Sequence, residues 1–170
     1  DGTEWTAYTP TFSAGWGAPS NVSFYWKRSG SSISIIGSFS AGTTAGSVAT
    51  ISLPSGLTID TSGIFATTRI KGSLWRNNGA TSNKKKFSVI WSTATEAKFG
   101  SEEYAQALAP NTALDGSSIA TSGDTLFFEV DNLPIKGWSS TPTLYLLPTR
   151  SEVFSANVSA SGVVTNATQN

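Results

Sequence analysis

Polar and apolar residues alternate one by one along much of this chain, and the clearest run is Asn21-Val22-Ser23-Phe24-Tyr25-Trp26-Lys27-Arg28. Val22, Phe24 and Trp26 fall on one parity, Ser23, Tyr25 and Lys27 on the other. A period of two marks a strand with one face on a core and the other towards water or a partner. After Ser29-Gly30-Ser31 the pattern resumes, with Ile33, Ile35, Gly37 and Phe39 set against serines and Ile36. The short polar link Arg28-Ser29-Gly30-Ser31 predicts an antiparallel hairpin. Phe24, Tyr25 and Trp26 put rings on both faces, which predicts a hairpin lying between two packed layers at the centre of a β-sandwich.

The same reading predicts strands elsewhere. Glu4 to Phe12 is extended, with Trp5 and Tyr8 as anchors and Pro10 confining it to an edge or a strand end. Ser13 to Ser20 is a Gly/Pro loop around Trp16. Further strands are predicted over Ser47–Leu53, Ile64–Trp75 with an interruption at Gly72, Phe87–Trp91, Asp124–Val130, Thr143–Leu147 and Glu152–Ser159. Thr93 to Phe99 continues the Phe87 strand or pairs with it. Ser101 to Leu108 is the one helical candidate, and a run so short is marginal in water, so it reads as loop or one turn. About nine or ten short strands separated by Gly, Pro and Ser predict an all-β fold, an antiparallel β-sandwich or jelly roll with negligible helix. No repeat or linker interrupts the pattern, so residues 1–170 read as a single domain.

Composition sharpens this picture. Charged residues make up 13% of the 170 residues, so Ser, Thr, Asn and Gly must cover the surface. Such a surface suits extracellular and carbohydrate-facing β-proteins. Lys plus Arg and Asp plus Glu are 11 each, and nothing in that balance favours nucleic acid or an anionic membrane. No apolar run approaches the roughly 18 residues of a membrane helix, so no membrane insertion is expected.

The chain has no Cys. It also has no His and no Met. A Ser-His-Asp triad, a Cys nucleophile and a His/Cys zinc site are therefore out of reach, and no cofactor is implied. Paired carboxylates remain possible in principle. Asp60, Glu96, Glu102, Glu103, Asp115, Asp124, Glu129, Asp131 and Glu152 are scattered and sit mostly beside turns. Glu102-Glu103 lacks calcium-ligand spacing and reads as a solvated loop. Lys84-Lys85-Lys86 touches an anionic polysaccharide or, more simply, guards the start of the Phe87 strand.

The aromatic residues carry more. Trp16, Trp75 and Trp138 lie outside the confident core positions. A ring beside amides and a guanidinium suits a sugar, because it is a flat platform that loses little entropy. The plain alternative for each Trp is a cap on the sandwich or a subunit interface. Trp75-Arg76-Asn77-Asn78 is the best candidate segment, with Arg76 suited to an anionic sugar and the two amides to hydroxyls. Tyr104, Lys84 and Lys85 are expected to complete that surface.

Four stretches then carry a family resemblance: Trp5-Thr6-Ala7-Tyr8-Thr9-Pro10-Thr11-Phe12, Val22-Ser23-Phe24-Tyr25-Trp26-Lys27-Arg28-Ser29-Gly30, Ala49-Thr50-Ile51-Ser52-Leu53-Pro54-Ser55-Gly56-Leu57-Thr58 and Ile135-Lys136-Gly137-Trp138-Ser139-Ser140. In this order they resemble C-terminal domains of tailed-bacteriophage tail fibres. The ending Phe154-Ser155-Ala156-Asn157-Val158 with Ser161-Gly162-Val163-Val164-Thr165 is similar too. The resemblance implies the C-terminal part of a longer fibre protein, a tumour-necrosis-factor-like (TNF-like) jelly roll and a homotrimeric knob at the fibre tip of the virion. Its role would be non-enzymatic attachment to a bacterial surface glycan, capsule or lipopolysaccharide. The alternatives are a polysaccharide depolymerase or esterase module and a purely structural trimerisation cap. Tyr25, Phe127 and Tyr145 are the expected trimer-facing residues. The segments 81–86 and 101–108 depart from the pattern.

Overall fold

The computed structural model describes residues 4–62, 70–79, 84–91, 93–101 and 113–138. All of them fall in the first of the two units into which the chain divides, Asp1–Ser140 and Thr141–Asn170. The strands expected over Thr143–Leu147 and Glu152–Ser159, and residues 102–108 of the helical candidate, lie outside the described residues.

Eight strands are described: β1 Thr6–Tyr8, β2 Ser20–Ser29, β3 Ser32–Ser40, β4 Thr50–Ser52, β5 Ile70–Asn77, β6 Lys85–Trp91, β7 Glu96–Ser101 and β8 Thr125–Pro134. They form one sheet in the order β1-β2-β3-β8-β5-β6-β7-β4, with every neighbouring pair antiparallel. The sheet curls until its ends meet. Phe12, just after β1, bridges Ile51 in β4, and Ser52 N donates to the Thr11 carbonyl at 3.0 Å. Edge N–H and C=O groups that would otherwise face solvent are thereby paired. The result is an all-β antiparallel sandwich of jelly-roll type. The only α-helix among the described residues is the single turn Gly116–Ile119.

The hairpin forms as its alternation dictates. Ser29 pairs with Ser32 across Gly30, whose φ of 61° a two-residue turn needs. Phe24, Ile33, Ile35 and Phe39 are buried. Gly37 faces the same way, and the Phe24 ring lies over its backbone in the space a side chain would take. Val22 departs from its parity and is exposed. Asn21 adopts a φ of 52° and the register slips between Ser20 and Ser23, so the inward face begins only at Phe24. The central strands of the sheet are β8 and β5, and the hairpin is not enclosed by two layers: Tyr25 and Ile36, on its outward face, are exposed.

Leu74, Val89, Phe99, Leu126, Phe128 and Val130 complete the interior from the remaining strands. Trp16 belongs with them. A 3-10 turn, Ala14–Trp16, tucks its ring against Phe39 at 5.0 Å and Phe99 at 5.4 Å, both edge-on, and its Nε1 donates to the Thr50 carbonyl at 3.0 Å. Buried indoles need such a partner, and the curled β4 supplies it. Gly72 marks a close approach: the register of β5 on β6 shifts between Ile70 and Ser73, and a Cβ there would collide with the Glu129 carbonyl.

Candidate functional site

Strand alternation sends every second side chain of β2, β3, β8, β5 and β6 away from the core. The register then aligns these outward residues in two rows. One row runs Ser23, Ser38, Phe127, Trp75, Lys86 and the other Tyr25, Ile36, Glu129, Ser73. Phe127 is 47% exposed, Trp75 46%, Tyr25 41% and Ile36 40%, values usual for polar rather than large apolar residues. They border a groove of about 410 Å³ whose lining also includes Ser23, Ser38 and Glu129. At roughly 150–250 Å² per large side chain, these fractions leave an apolar patch of about 300–400 Å². That is the size of the functional patch on many monomers and half or less of what each partner contributes to a standard protein–protein interface.

The face extends towards β1. Trp5, half-exposed, carries the Lys27 ammonium 4.7 Å from its ring centroid. At the other end the Lys86 ammonium lies 5.5 Å from the Trp75 centroid. Lysine stems cover part of each ring while the charge stays in water. Glu129 is the one carboxylate among the groove-lining residues, and among the described residues it has no hydrogen-bond or ion-pair partner.

The structure places the expected site residues in different surroundings. Trp75 lies within β5, two residues before its end, on the open face rather than at a rim. Arg76, next in sequence, leaves the opposite face. Its Nε is 2.7 Å from Asp124 Oδ2, a charge contact rather than an aligned hydrogen bond, and the guanidinium is mostly buried. Asp124 also accepts from Thr121 N at 2.7 Å and Thr121 Oγ1 at 2.9 Å. Arg76 thus joins β5 to the turn before β8 and does not stand beside the Trp75 ring. Asn77 Oδ1 accepts from Gly79 N at 3.2 Å and closes the tight turn, while Asn78 is half-buried and has a partner of its own. Lys84 and Lys85 are exposed, and Lys85 pairs across from Arg76, away from the groove. At the lysines β6 is paired with β5 alone among the described residues, and its pairing with β7 begins at Phe87. Tyr104 and Tyr145 lie outside the described residues.

Of the other tryptophans, Trp16 is core, and Trp138 caps one end of the sandwich between the Trp26 ring at 6.3 Å and the Arg28 guanidinium at 4.4 Å. Asp60 and Asp115, like Asp124, have structural partners. Asp60 Oδ1 accepts from Ser62 Oγ at 2.6 Å and Ser62 N at 3.0 Å, and these bonds hold its carboxyl below the ordinary 3.8. Asp115 caps the helical turn, where Ser118 and then the Ser117 hydroxyl hold its carboxyl low as well. Lowered values keep a group ionised, the reverse of what a general acid needs. Among the described residues no three His, Cys, Asp or Glu side chains cluster as a metal site would require.

Tyr25 and Phe127, expected at a subunit interface, and Trp75, expected at a sugar site, therefore share one groove. Ile36 and Glu129 were not singled out for it. Ile36 was legible as the apolar residue on the serine side of its strand, whereas Glu129 needed the β3–β8 register. The chain matches no protein-family model, no curated protein and no solved structure.

Proposed function

We propose that this chain is a non-enzymatic carbohydrate-binding module whose ligand lies in the groove between Tyr25 and Trp75. The observation that carries the reading is the solvent-facing set Trp75, Phe127 and Tyr25 on a rigid sheet. Aromatic rings stack on the apolar faces of sugars, and the bordering hydroxyls of Ser23 and Ser38 suit their edges. Rings held on strands need little ordering when they bind. A single carboxylate among the described lining residues favours binding over paired-carboxylate hydrolysis, which needs two.

The resemblance of the sequence to tailed-phage tail fibres supports a place for this module: the receptor-binding tip of a fibre, attaching a virion to bacterial surface polysaccharide, as a homotrimer. The test is adsorption of the purified chain to the host's cells by Trp75→Ala and Phe127→Ala, singly and together. Adsorption should fall at least tenfold, with melting temperature and particle mass unchanged. Normal adsorption by the double variant sinks the groove as the site.

A second reading draws on the same exposed rings: the face is the surface on which copies of the chain meet. Light scattering separates the two. A particle of three times the 17.8 kDa chain mass that falls apart on Trp75→Ala assigns the face to assembly. A particle mass insensitive to that substitution leaves the groove free for a ligand.

A further inference from the structure

Glu129 is an acidic side chain set among exposed apolar ones. In the register it stands between Ile36 of β3 and Ser73 of β5, and Phe127 is its neighbour on the same face of β8. It lines the groove, and nothing among the described residues pairs with it. Most exposed carboxylates need no explanation. This one does, because whatever covers Tyr25, Phe127 and Trp75 must also cover or contact Glu129. An apolar protein surface laid on the rings would strip water from the carboxylate and return no donor, a strongly unfavourable exchange. A sugar ring does the opposite: it offers an apolar face to the aromatics and hydroxyl donors at its edge.

We infer that Glu129 is the specificity-determining residue of the groove, and that it selects a neutral, polyhydroxylated sugar over one bearing a carboxylate or phosphate. The inference rests on the carbohydrate-binding reading above. A carboxylate only accepts hydrogen bonds, and its two oxygens match a pair of neighbouring hydroxyl donors. Bonds to an ionised acceptor are roughly twice as strong as neutral ones. An anionic sugar in the same place meets a like charge at short range. The lysines facing outward do not cancel this. Lys86 stands on β6, on the far side of Trp75 from β8, and Lys27 is engaged with Trp5 near β1. This reverses the expectation that Arg76 reads an acidic sugar, since Arg76 faces away and is tied to Asp124.

The test is binding of the full chain to dextran, mannan and galactan, three neutral polysaccharides, and to alginate, a polyuronate, at fixed ionic strength. The expected result is retention by at least one neutral polymer about tenfold or more tighter than by alginate. Glu129→Gln, at an exposed position, should keep the wild-type circular dichroism. It should weaken the neutral complex about tenfold and narrow the gap to alginate. Wild-type binding to alginate as tight as to any neutral polymer overturns the inference while the carbohydrate-binding reading stands, as does a Glu129→Gln variant with unchanged neutral binding. No retention by any of the four overturns both. Concentration-dependent self-association abolished by Trp75→Ala also overturns both, by giving the face to a second copy.

Discussion

Trp75 and Arg76 are consecutive residues whose side chains leave opposite faces of β5. The indole meets solvent beside Phe127, and the guanidinium reaches inward to Asp124 at 2.7 Å. A strand cannot aim neighbours at one ligand unless a bulge intervenes. The two residues therefore report on different properties of the molecule.

Arg76→Ala should lower stability to chemical denaturation by about 3 kcal/mol, because it strands the buried Asp124 carboxylate with Thr121 as its remaining partner. Trp75→Ala should change stability by less than about 1 kcal/mol, since its side chain is already half in water. Equal losses in the two variants would show that the division between them is wrong.

Tyr8→Phe should stabilise the fold by about 1 kcal/mol. The Tyr8 ring packs edge-on to Phe24 at 5.7 Å, and its hydroxyl is buried without a partner among the described residues. Burial pushes its phenol well above the ordinary 10.0. A raised value means that the neutral form is held in the fold, so the wild type should lose stability as pH rises beyond about 10, and Tyr8→Phe should lose less. Thermal melts at pH 7 and above pH 10 decide the matter; a destabilised Tyr8→Phe at pH 7 counts against it.

Gly37→Ala should cost about 1–3 kcal/mol. The added methyl would enter the Phe24 ring, which is itself buried against Phe128 at 5.8 Å and cannot move aside cheaply. Pairing it with Phe24→Leu should recover part of the loss, and a double-mutant cycle with no coupling would refute the contact.

Acid should weaken the fold through Asp60 and Asp115. Both carboxyls are held below 3.8 by hydrogen bonds that serines donate, Ser62 in one case and Ser118 and Ser117 in the other. A lowered value contributes stability that is complete above the unfolded value and fades as pH falls through the folded one. The stability curve of Asp60→Asn with Asp115→Asn should therefore be flatter than wild type below pH 4. A variant curve parallel to wild type through that range would remove both groups from the account.

Local pattern by itself determined the strands, the hairpin and the inward set Phe24, Ile33, Ile35, Gly37 and Phe39, because a period of two is written directly in residue order. It also marked Gly72 as an interruption of its strand and Trp75, Tyr25 and Phe127 as rings outside a simple core. It could not say that these three share a groove, because that depends on strand order: β8 inserts between β3 and β5, which end at Ser40 and Asn77, far before β8 begins at Thr125, and carries Phe127 and Glu129 with it. Nor could it separate Trp16 from Trp75. Gly15 and Gly17 flank the first, Leu74 and Arg76 the second, which points if anything to the wrong one as buried, yet the curl that brings β4 to Phe12 buries Trp16 and leaves Trp75 in solvent. Burial is a property of the closed sheet, set by contacts distant in sequence, and residue order encodes it only through the fold.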